Sequence, residues 1–564
     1  MKRKKLLIIP LALATCAYAL TSCKHANEDT SKDKTEDSTN GSSSTTSCHE
    51  HKYSSEWSYN DSKHWHASIC EHDLKDEEAD HTIENGQCTV CGYKEATQGL
   101  SYKLSDDSTY YIVSGVEEGV TLSGELVIAS KYDGKPVTTI GQKAFLECSS
   151  ITSITIPSSI TNIEYGAFGY CTGLTSLTIP SNVVEIGKSA FAYCNNITSL
   201  TIEEGVTTLG ESVFAECTKL ETVTLPNSVT TISDSLFSDC TNLKSVTLGN
   251  NVTKIEDSAF DDCDGLTNIV LPESVEVIDS YAFFSCSNLA NINIPNSVTQ
   301  IGYRAFEYCD NLNYQEYDNG YYLGNTNNPY LAFAKAKSTE ISSCTINDNC
   351  KFILDRAFDG CLNVTSVVIP NSVVFINRDA FYNCNISNYN EYDNAYYLGN
   401  IENPYLVLIE AKAKDITTCT INENCKFIYD NAFDNCTSLT SITLPDSVIS
   451  IGKSAFQACI ALNNIKLSNN LIYIGESAFK VCRKLASIVI PTSVTRLDVL
   501  VFERCDNFKT VYYMGAIDEW NNIENIDDNT ALTSREIYYY SETKPTTEGN
   551  YWHYVDGSIT IWAE

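Results

Sequence analysis

A 23-residue repeat fills most of this 564-residue chain and limits what the chain can fold into. Each copy ends in the pattern Phe-x-x-Cys. Consecutive marker phenylalanines are 23 residues apart, except at two gaps of 52 residues. The markers are Phe145, Phe168, Phe191, Phe214, Phe237, Phe260, Phe283, Phe306, Phe358, Phe381, Phe433, Phe456, Phe479 and Phe502. A short period kept over fourteen copies is typical of a solenoid, because one unit cannot bury its apolar face alone and must stack on its neighbours.

The copy at 174–194 reads LTSLTIPSNVVEIGKSAFAYC and shows how one coil is built. Its first part has the L-x-x-L-x-L spacing of a leucine-rich repeat strand, whose apolar residues point inward. Pro180 ends this strand because proline cannot donate to the ladder. A second extended segment follows, and we expect a short helical turn to close the coil at Phe191. The predicted inward residues are Leu174, Leu177, Ile179, Val183, Ile186, Ala190 and Phe191. Stacked coils predict a rod or shallow arc.

The motif I-P-x-S-V-x-x-I followed by A-F-x-x-C resembles the BspA-like family of bacterial leucine-rich repeat surface proteins. The resemblance extends over about residues 100–562. It implies a leucine-rich repeat solenoid of the α/β horseshoe class, mostly β with short helical turns and with about fourteen coils. It also implies a cell-surface protein that acts in adhesion or host-protein binding, without catalysis.

The amino terminus has the features of a secretory signal. Four basic residues at positions 2–5 precede an apolar run from Leu6 to Leu20, which is too short for a membrane span. Leu20-Thr-Ser-Cys23 resembles a bacterial lipobox, so residues 1–22 are predicted to be a lipoprotein signal peptide and Cys23 to carry the lipid. The alternative is an ordinary signal peptide with Cys23 incidental. Residues 23–47 have almost no apolar side chains and are predicted to be a disordered tether.

Residues 48–95 form a separate His- and Cys-rich module. Six of the eight histidines of the chain lie between positions 48 and 92, and Cys88-Thr-Val-Cys91-Gly has the form of a zinc knuckle. We expect a structural zinc ion here. A segment with so few aliphatic side chains cannot form a sufficient apolar core, and a bound metal ion would supply the missing stability. The candidate ligands are His66, Cys70, His72, His81, Cys88 and Cys91. Two alternatives are a disulfide (Cys88–Cys91 or Cys48–Cys70) and a weakly ordered, metal-scavenging stalk. A catalytic metal is disfavoured because no H-E-x-x-H motif is present.

The solenoid is predicted at 141–511, with an amino-terminal cap at 100–140 and an aromatic carboxy-terminal cap at 512–564. Eighteen of the 24 cysteines lie in the repeats. Fourteen of them follow the marker phenylalanines, and the other four take inward apolar positions: Cys344, Cys350, Cys419 and Cys425. The spacing of stacked strands is too wide for disulfide geometry, so we expect buried, unreactive thiols.

Charge and motifs narrow the functional classes. The formal net charge is −34 and the pI is about 4.5, which argue against nucleic acid and against docking on anionic lipid. Membrane contact is therefore expected only through the lipid anchor. The chain has no glycine-rich phosphate loop, G-x-S-x-G elbow or metalloprotease motif, so we do not expect an enzyme.

Two tyrosine-rich interruptions, at 313–340 and 388–415, are the strongest candidates for a binding surface. Each is predicted to form a hairpin on an enlarged coil, and alternation predicts that one ring of each adjacent pair faces out. The candidate ligand-binding residues are Tyr317, Tyr321, Tyr322, Tyr330, Tyr392, Tyr396, Tyr397 and Tyr405. The alternative is that these rings only cover the enlarged coils. A second candidate is an outward, hydroxyl-rich column of strand residues that begins at Thr155 and Thr178, expected on a concave face. The alternative is that these residues are β-formers that serve only the sheet. The expected partner is an extracellular protein or glycan, and the rival hypothesis is an envelope spacer without a ligand.

Overall fold

The computed structural model describes residues 52–59, 62–69, 74–84, 87–527 and 529–562. The chain divides into two compact units, Met1–Glu95 and Ala96–Glu564. The predicted signal peptide, the lipidation residue Cys23, the tether and the candidate ligands Cys70 and His72 lie outside the described residues. Within the described residues, no helix has the length and apolarity needed to cross a membrane.

The amino-terminal unit is a small antiparallel β structure. Its sheet has the order β1-β2-β3, and β4 pairs with β5 in a separate hairpin. The pairing of β2 with β3 shifts register between His64 and His66. The strands are β1 (Tyr53–Tyr59), β2 (Lys63–Ser68), β3 (Lys75–Asp80), β4 (Ile83–Glu84) and β5 (Gln87–Cys88).

The solenoid unit opens with a cap that leads the chain into the first coil. An antiparallel pair, β6 and β7, is followed by β10, which pairs in parallel with β7. Asp133 and Gly134 have φ of 47° and 75° and make the tight turn between β9 and β10, which delivers Val137 and Ile140 to the core. The strands are β6 (Leu100–Leu104), β7 (Tyr111–Val116), β8 (Gly124–Val127), β9 (Lys131–Tyr132) and β10 (Lys135–Ile140).

Each regular coil contributes two short strands to parallel ladders. The first strand alternates buried and exposed residues, as Leu177 and Thr178 do, and pairs in register with the next coil. The strands up to the first interruption are β11 (Ile151–Thr155), β12 (Asn162–Ile163), β13 (Ser176–Ile179), β14 (Glu185–Ile186), β15 (Ser199–Ile202), β16 (Thr208–Leu209), β17 (Thr222–Thr224), β18 (Thr231–Ile232), β19 (Ser245–Thr247), β20 (Lys254–Ile255), β21 (Asn268–Val270), β22 (Val277–Ile278), β23 (Asn291–Asn293) and β24 (Gln300–Ile301).

The corner at the marker phenylalanine is not the helical turn that the sequence predicted. The residues two before and two after Phe191, Ser189 and Tyr193, have φ of 55° and 61°, and this pair of left-handed residues recurs around the other markers. The N–H groups of Ser189 and Phe191 therefore point along the solenoid and donate to Glu211 and Val213 of the next coil. Left-handed residues cannot continue a helix, so the corner is a hydrogen-bonded turn. Inside it, Phe168 and Phe191 stack with ring centroids 5.1 Å apart.

The two interruptions are themselves coils. In the first, β25, β26 and β27 form an antiparallel meander, and β27 then joins the second-strand ladder by pairing in parallel with β29. Phe333 on β27 stacks on Phe358 at 4.8 Å and so takes the place of a marker. The strands here are β25 (Gln315–Tyr317), β26 (Gly320–Leu323), β27 (Ala332–Ala336), β28 (Ser343–Thr345), β29 (Phe352–Ile353), β30 (Ser366–Val368) and β31 (Phe375–Ile376).

The second interruption repeats the first, and the caps add further turns. The solenoid has about 19 turns of about 23 residues, more than the fourteen markers, because the interruptions and both caps also form coils. The strands from the second interruption onward are β32 (Asn390–Tyr392), β33 (Ala395–Leu398), β34 (Val407–Ala411), β35 (Phe427–Ile428), β36 (Ser441–Thr443), β37 (Ser450–Ile451), β38 (Asn464–Lys466), β39 (Tyr473–Ile474), β40 (Ser487–Ile490) and β41 (Arg496–Leu497).

The carboxy-terminal cap closes the core with aromatic residues, as predicted. Trp552 is fully buried and its indole N–H donates to the carbonyl of Tyr513 at 2.9 Å. The last strand pairs antiparallel with its neighbour, which ends the parallel ladder. The elements are β42 (Thr510–Tyr513), α1 (Ile517–Asn521), α2 (Thr530–Thr533), β43 (Glu536–Tyr540), β44 (Tyr551–Val555) and β45 (Ser558–Ile561).

The solenoid unit curves far more than the expected shallow arc. Lys254 lies 3.4 Å from Glu524, 270 residues later, and Arg378 lies 2.6 Å from Glu476. We call the charged residues that meet across the curve the inner cluster: Lys254, Asp279, Arg378, Glu476, Arg496 and Glu524. Several of them lie on or beside second strands, so these strands line the inner side of the curve. The column that begins at Thr155 and Thr178 belongs to the first strands, and its expected concave position is wrong.

Candidate functional site

The two hairpins present the same arrangement of tyrosines. In the first, Tyr322 is fully buried and its hydroxyl accepts the N–H of Asn347 at 3.1 Å. Tyr397 is its buried counterpart in the second hairpin. The prediction that these two rings bind a ligand is wrong, because neither has exposed surface. The prediction that one ring of each adjacent pair faces the core is confirmed.

The exposed rings lie over the buried ones. Tyr317 is 40% exposed and packs edge-on against Tyr330, with centroids 5.9 Å apart. In the second hairpin Tyr392 is 37% exposed and lies 5.5 Å from Tyr405. The remaining predicted rings are half-buried. Tyr321 packs against Tyr314, and Tyr396 stacks on Tyr389. The hairpins thus display two copies of one aromatic surface, 75 residues apart in sequence.

The hairpin turns are held by asparagine side chains. The side-chain carbonyl of Asn325 accepts the N–H groups of Asn327 and Asn328, both at 2.9 Å, which is an Asx-type turn. The amide group of Asn325 donates to the carbonyl of Ile294 in the preceding coil at 2.7 Å. Asn400 makes the same contacts in the second hairpin. Each turn is therefore tied to the solenoid and presents its tip in a fixed position.

A groove of about 820 Å³ adjoins the second hairpin turn. It is lined mainly by polar side chains and prolines of the first-strand face, such as Asn371, Asn390 and Pro404. Ile401 lies at its edge and is 99% exposed, whereas Thr326 takes the matching position in the first hairpin. The side chain of Ile401 therefore contributes nothing to the core.

A second candidate is a metal centre in the amino-terminal unit. One ligand atom from each of His64, His81, Cys88 and Cys91 lies within 4.8 Å of the others. The sulfur of Cys88 is 3.8 Å from Nδ1 of His64, and that of Cys91 is 3.4 Å from Nδ1 of His81. Cys88 and Cys91 are free thiols. Three of these four donors were predicted, and His64 was not.

The Cys-x-x-Cys-Gly segment forms the predicted knuckle. Gly92 has φ of 77° and donates its N–H to the carbonyl of Cys88 at 3.0 Å. Burial alone would raise the pKa of the Cys88 thiol, but hydrogen bonds from the backbone N–H groups of Cys91 and Val90, together with His81, lower this pKa to about 5. The knuckle therefore favours a thiolate at Cys88, the form in which cysteine binds metals.

His66, which the sequence predicted as a ligand, lies outside this group. Its ring stacks on Trp57 at 3.9 Å and faces the carboxylate of Glu77 at 3.8 Å. Alternation along β2 puts His64 and His66 on one face, and the rings of both histidines contact Trp57. His64 instead packs edge-on against Trp57 and reaches the cysteines.

The inner cluster surrounds a cavity of about 490 Å³ inside the curve. Its walls also include Tyr303 and Tyr473. The guanidinium group of Arg378 lies 3.5 Å from the ring centroid of Tyr303, and the hydroxyl of Tyr473 donates to Asp498. The charges here are largely paired with one another across the curve, so we assign this cavity to the architecture of the solenoid. Sequence inspection missed it because its members are far apart in the chain.

The repeat cysteines are confirmed as free thiols. Those in the markers are buried or half-buried, and the four in the irregular coils are buried. Burial raises the pKa of Cys344 and Cys425 to about 12, so neither thiol ionises near neutral pH. No histidine lies in these coils.

The family model of the BspA-type leucine-rich repeat region, with six copies, matches residues 138–267, 212–327, 329–401 and 411–530. The chain belongs to the BspA-type leucine-rich repeat family. None of the curated proteins matches it significantly.

The solved structures that match this chain include a leucine-rich cell surface protein and a leucine-rich repeat protein, both from bacteria. A leucine-rich cell surface protein from Faecalibacterium prausnitzii is 26% identical, with 76% of this chain and 97% of that chain covered and a TM-score of 0.35. A leucine-rich repeat protein from Bacteroides ovatus is 21% identical, with coverages of 79% and 100% and a TM-score of 0.39. The pneumococcal vaccine antigen PcpA is 17% identical, with coverages of 79% and 93% and a TM-score of 0.30.

Proposed function

We propose that this BspA-type protein is a lipid-anchored cell-surface binding protein without enzymatic activity. It recognises an extracellular protein or glycan through its two tyrosine-rich hairpins. The observation that carries the proposal is the duplicated aromatic surface: Tyr317 with Tyr330, and Tyr392 with Tyr405. Exposed tyrosines on a rigid base give a large contact area at a low entropic cost, which is why they dominate recognition surfaces.

The groove beside the second hairpin favours a partner that binds in an extended conformation. Its polar lining supplies hydrogen-bonding groups, and Ile401 supplies an apolar contact at its edge. An interface of this kind combines a few buried anchors with a polar rim. The net charge of −34 favours a neutral or basic partner over nucleic acid.

The protein should be screened for binding to extracellular matrix proteins, plasma proteins and glycans. The double variant Tyr317→Ser, Tyr392→Ser should weaken binding of the selected partner by about 2 kcal/mol, which is roughly thirtyfold in Kd. Its melting temperature should change little. The matched control is Tyr170→Ser, Tyr193→Ser, which removes another exposed, stacked pair with centroids 4.3 Å apart. Equal losses in both variants would assign the effect to general surface change. No tight, selective partner for the native chain would favour the envelope spacer.

The lipid anchor is tested separately. Cys23 ends the lipobox-like segment, so Cys23→Ala should move the protein from the membrane fraction to the medium. The thiol of Cys23 is the proposed attachment point, and residues 96–564 form a compact unit of their own. Membrane association that persists in this variant would rule out Cys23 as the anchor.

A further inference from the structure

We propose that His64, His81, Cys88 and Cys91 bind one zinc ion in a closed structural site that holds the amino-terminal unit together. The site does not depend on the proposed function of the solenoid. It replaces the broader ligand set expected from sequence with four donors from three neighbouring parts of the unit: His64 on β2, His81 after β3, and the two cysteines of the knuckle.

The distances fit a tetrahedral ion. Zinc lies about 2.3 Å from cysteine sulfur and about 2.0–2.1 Å from histidine nitrogen, so the sulfur-to-nitrogen edge of a tetrahedron is about 3.6 Å. The two such edges that pair Cys88 with His64 and Cys91 with His81 are 3.8 and 3.4 Å. Two thiolates and two imidazoles in this arrangement are a donor set that selects zinc over magnesium or calcium. The two thiolates also neutralise the charge of the ion.

The surroundings indicate a structural ion. Aromatic rings enclose the histidines: Trp57 packs against His64 at 4.7 Å, and Tyr93 stacks on His81 at 4.3 Å. The four protein donors fill a tetrahedral shell and leave no position for a substrate, unlike catalytic zinc, which keeps one open.

Burial in the unit gives independent support. Among its described residues only His64 and Cys88 are buried, at 3% and 2% exposure, while all six residues of β3 are exposed. The buried centre of this part of the chain therefore consists of metal donors and not of aliphatic side chains. A segment with so small an apolar core needs another source of folding free energy, and metal binding supplies it.

Metal content and coordination of the full chain test the proposal directly. The protein, purified with both units intact under reducing conditions and equilibrated with zinc, should contain one zinc per chain by elemental analysis. X-ray absorption should show two sulfur and two nitrogen neighbours. A chain that takes up no zinc, or one isolated without reductant whose Cys88 and Cys91 are joined in a disulfide, would overturn the proposal.

Variants locate the site. Cys88→Ser and His64→Gln should each lower the zinc content well below one per chain, whereas His66→Gln, two residues along the same strand, should keep it. Chelation should change the fluorescence of Trp57 and Trp65 in this unit and leave the thermal unfolding of the solenoid unchanged. Zinc retained in both donor variants, or lost equally in His66→Gln, would show that the ion is bound elsewhere. The spectroscopic neighbour count of the native protein decides the matter if a donor variant does not fold.

Discussion

At the scale of single residues, the repeat cysteine has a specific task. The thiol of Cys240 donates to the carbonyl of Phe214, the marker phenylalanine of the preceding coil, at 3.2 Å, and Cys263 and Cys286 repeat the contact with their own markers. The carbonyl of Phe214 also accepts the N–H of Cys217 within its own turn. The thiol column therefore satisfies the second lone pair of a buried carbonyl while it fills apolar space.

The hydrogen bond of the thiol predicts which substitutions of Cys240 destabilise the protein more. Cys240→Ala removes the donor and some volume and should lower the free energy of unfolding by about 1–3 kcal/mol. Cys240→Ser removes a similar volume but keeps a donor, so it should cost less than alanine. Equilibrium denaturation of the two variants measures the difference. A serine variant less stable than the alanine variant would show that the position is only an apolar site.

Asp430 provides hydrogen-bond acceptors where a corner turn is missing. The second hairpin coil lacks a marker corner, and the carboxylate of Asp430 instead accepts the N–H groups of Asp379 and Lys453, both at 2.7 Å. Burial nevertheless raises the pKa of Asp430 to about 7. Beside the first hairpin the carboxylate of Asp355 accepts the N–H of Arg304 at 2.7 Å, and burial raises the pKa of Asp355 to about 6. Both carboxyl groups therefore hold a proton more tightly in the folded state than in the unfolded chain.

The sign of the pH dependence follows from that preference. A carboxyl group whose pKa rises on folding contributes stability that is full below its unfolded pKa near 3.8 and is lost as pH rises through 7. At about 1.4 kcal/mol per pKa unit, Asp430 accounts for a few kcal/mol between pH 4 and 8. Asp430→Asn should therefore flatten the decline of unfolding free energy over this range, as measured by denaturation at several pH values. Hydrogen bonds from Asn469 lower the pKa of Asp446 below its ordinary value, so the control Asp446→Asn should change the slope in the opposite direction only below about pH 5 and leave the decline at higher pH in place.

At the scale of elements, the hairpin turns show what local chemistry adds to the repeat. Asn325 satisfies two N–H groups of its own turn and one carbonyl of the preceding coil. Its duplicate, Asn400, does the same 75 residues later. Because both turns are attached in this way, each hairpin behaves as part of the solenoid and not as a free loop.

The duplication provides an internal control for a prediction. Asn325→Ala should leave two turn N–H groups without their acceptor and destabilise the first hairpin by about 1–3 kcal/mol. Amide hydrogen exchange should become faster in the first turn, Gly324 to Leu331, and stay unchanged in the matching turn, Gly399 to Leu406. Faster exchange in both turns would mean that the hairpins are coupled, and unchanged exchange in both would mean that the backbone alone holds the turn.

The sequence predicted the elements that periodicity controls. Spacing located the coils, and alternation along β26 correctly predicted that one ring of the pair Tyr321 and Tyr322 is buried, although it did not tell which one. It did not predict the left-handed corner, because residues such as Ser189 and Tyr193 give no glycine signal there. It also missed His64, because alternation puts His64 and His66 on the same face of β2 and does not tell which of the two reaches the cysteines.

At the scale of the whole solenoid unit, the curve depends on contacts between distant coils. Small rotations between neighbouring coils add up along a solenoid, so the period alone does not determine its curvature. Here the sum brings Phe375 edge-on to Tyr473 at 5.3 Å and places the paired charges of the inner cluster beside them. These contacts are long-range in sequence, which is why no local pattern reveals them.

If these ion pairs help to hold the curve, removing their acidic partners should open it. Glu476→Gln, Glu524→Gln breaks the contacts with Arg378 and Lys254 and leaves those cations inside the curve with fewer partners. Small-angle X-ray scattering should then give a larger radius of gyration than for the native chain. The control Glu211→Gln, Glu221→Gln makes the same change in net charge but breaks pairs between adjacent coils, with Lys188 and Lys244. The control should leave the radius of gyration unchanged.

Salt should act on the native curve as the inner variant does. At about 1 M, where the screening length falls to about 3 Å, the radius of gyration should increase, but by less than in the variant, because partly buried pairs are screened incompletely. If the inner variant and the control scatter alike, the curvature comes from the shape of the coils and the inner cluster only fills the space that they enclose.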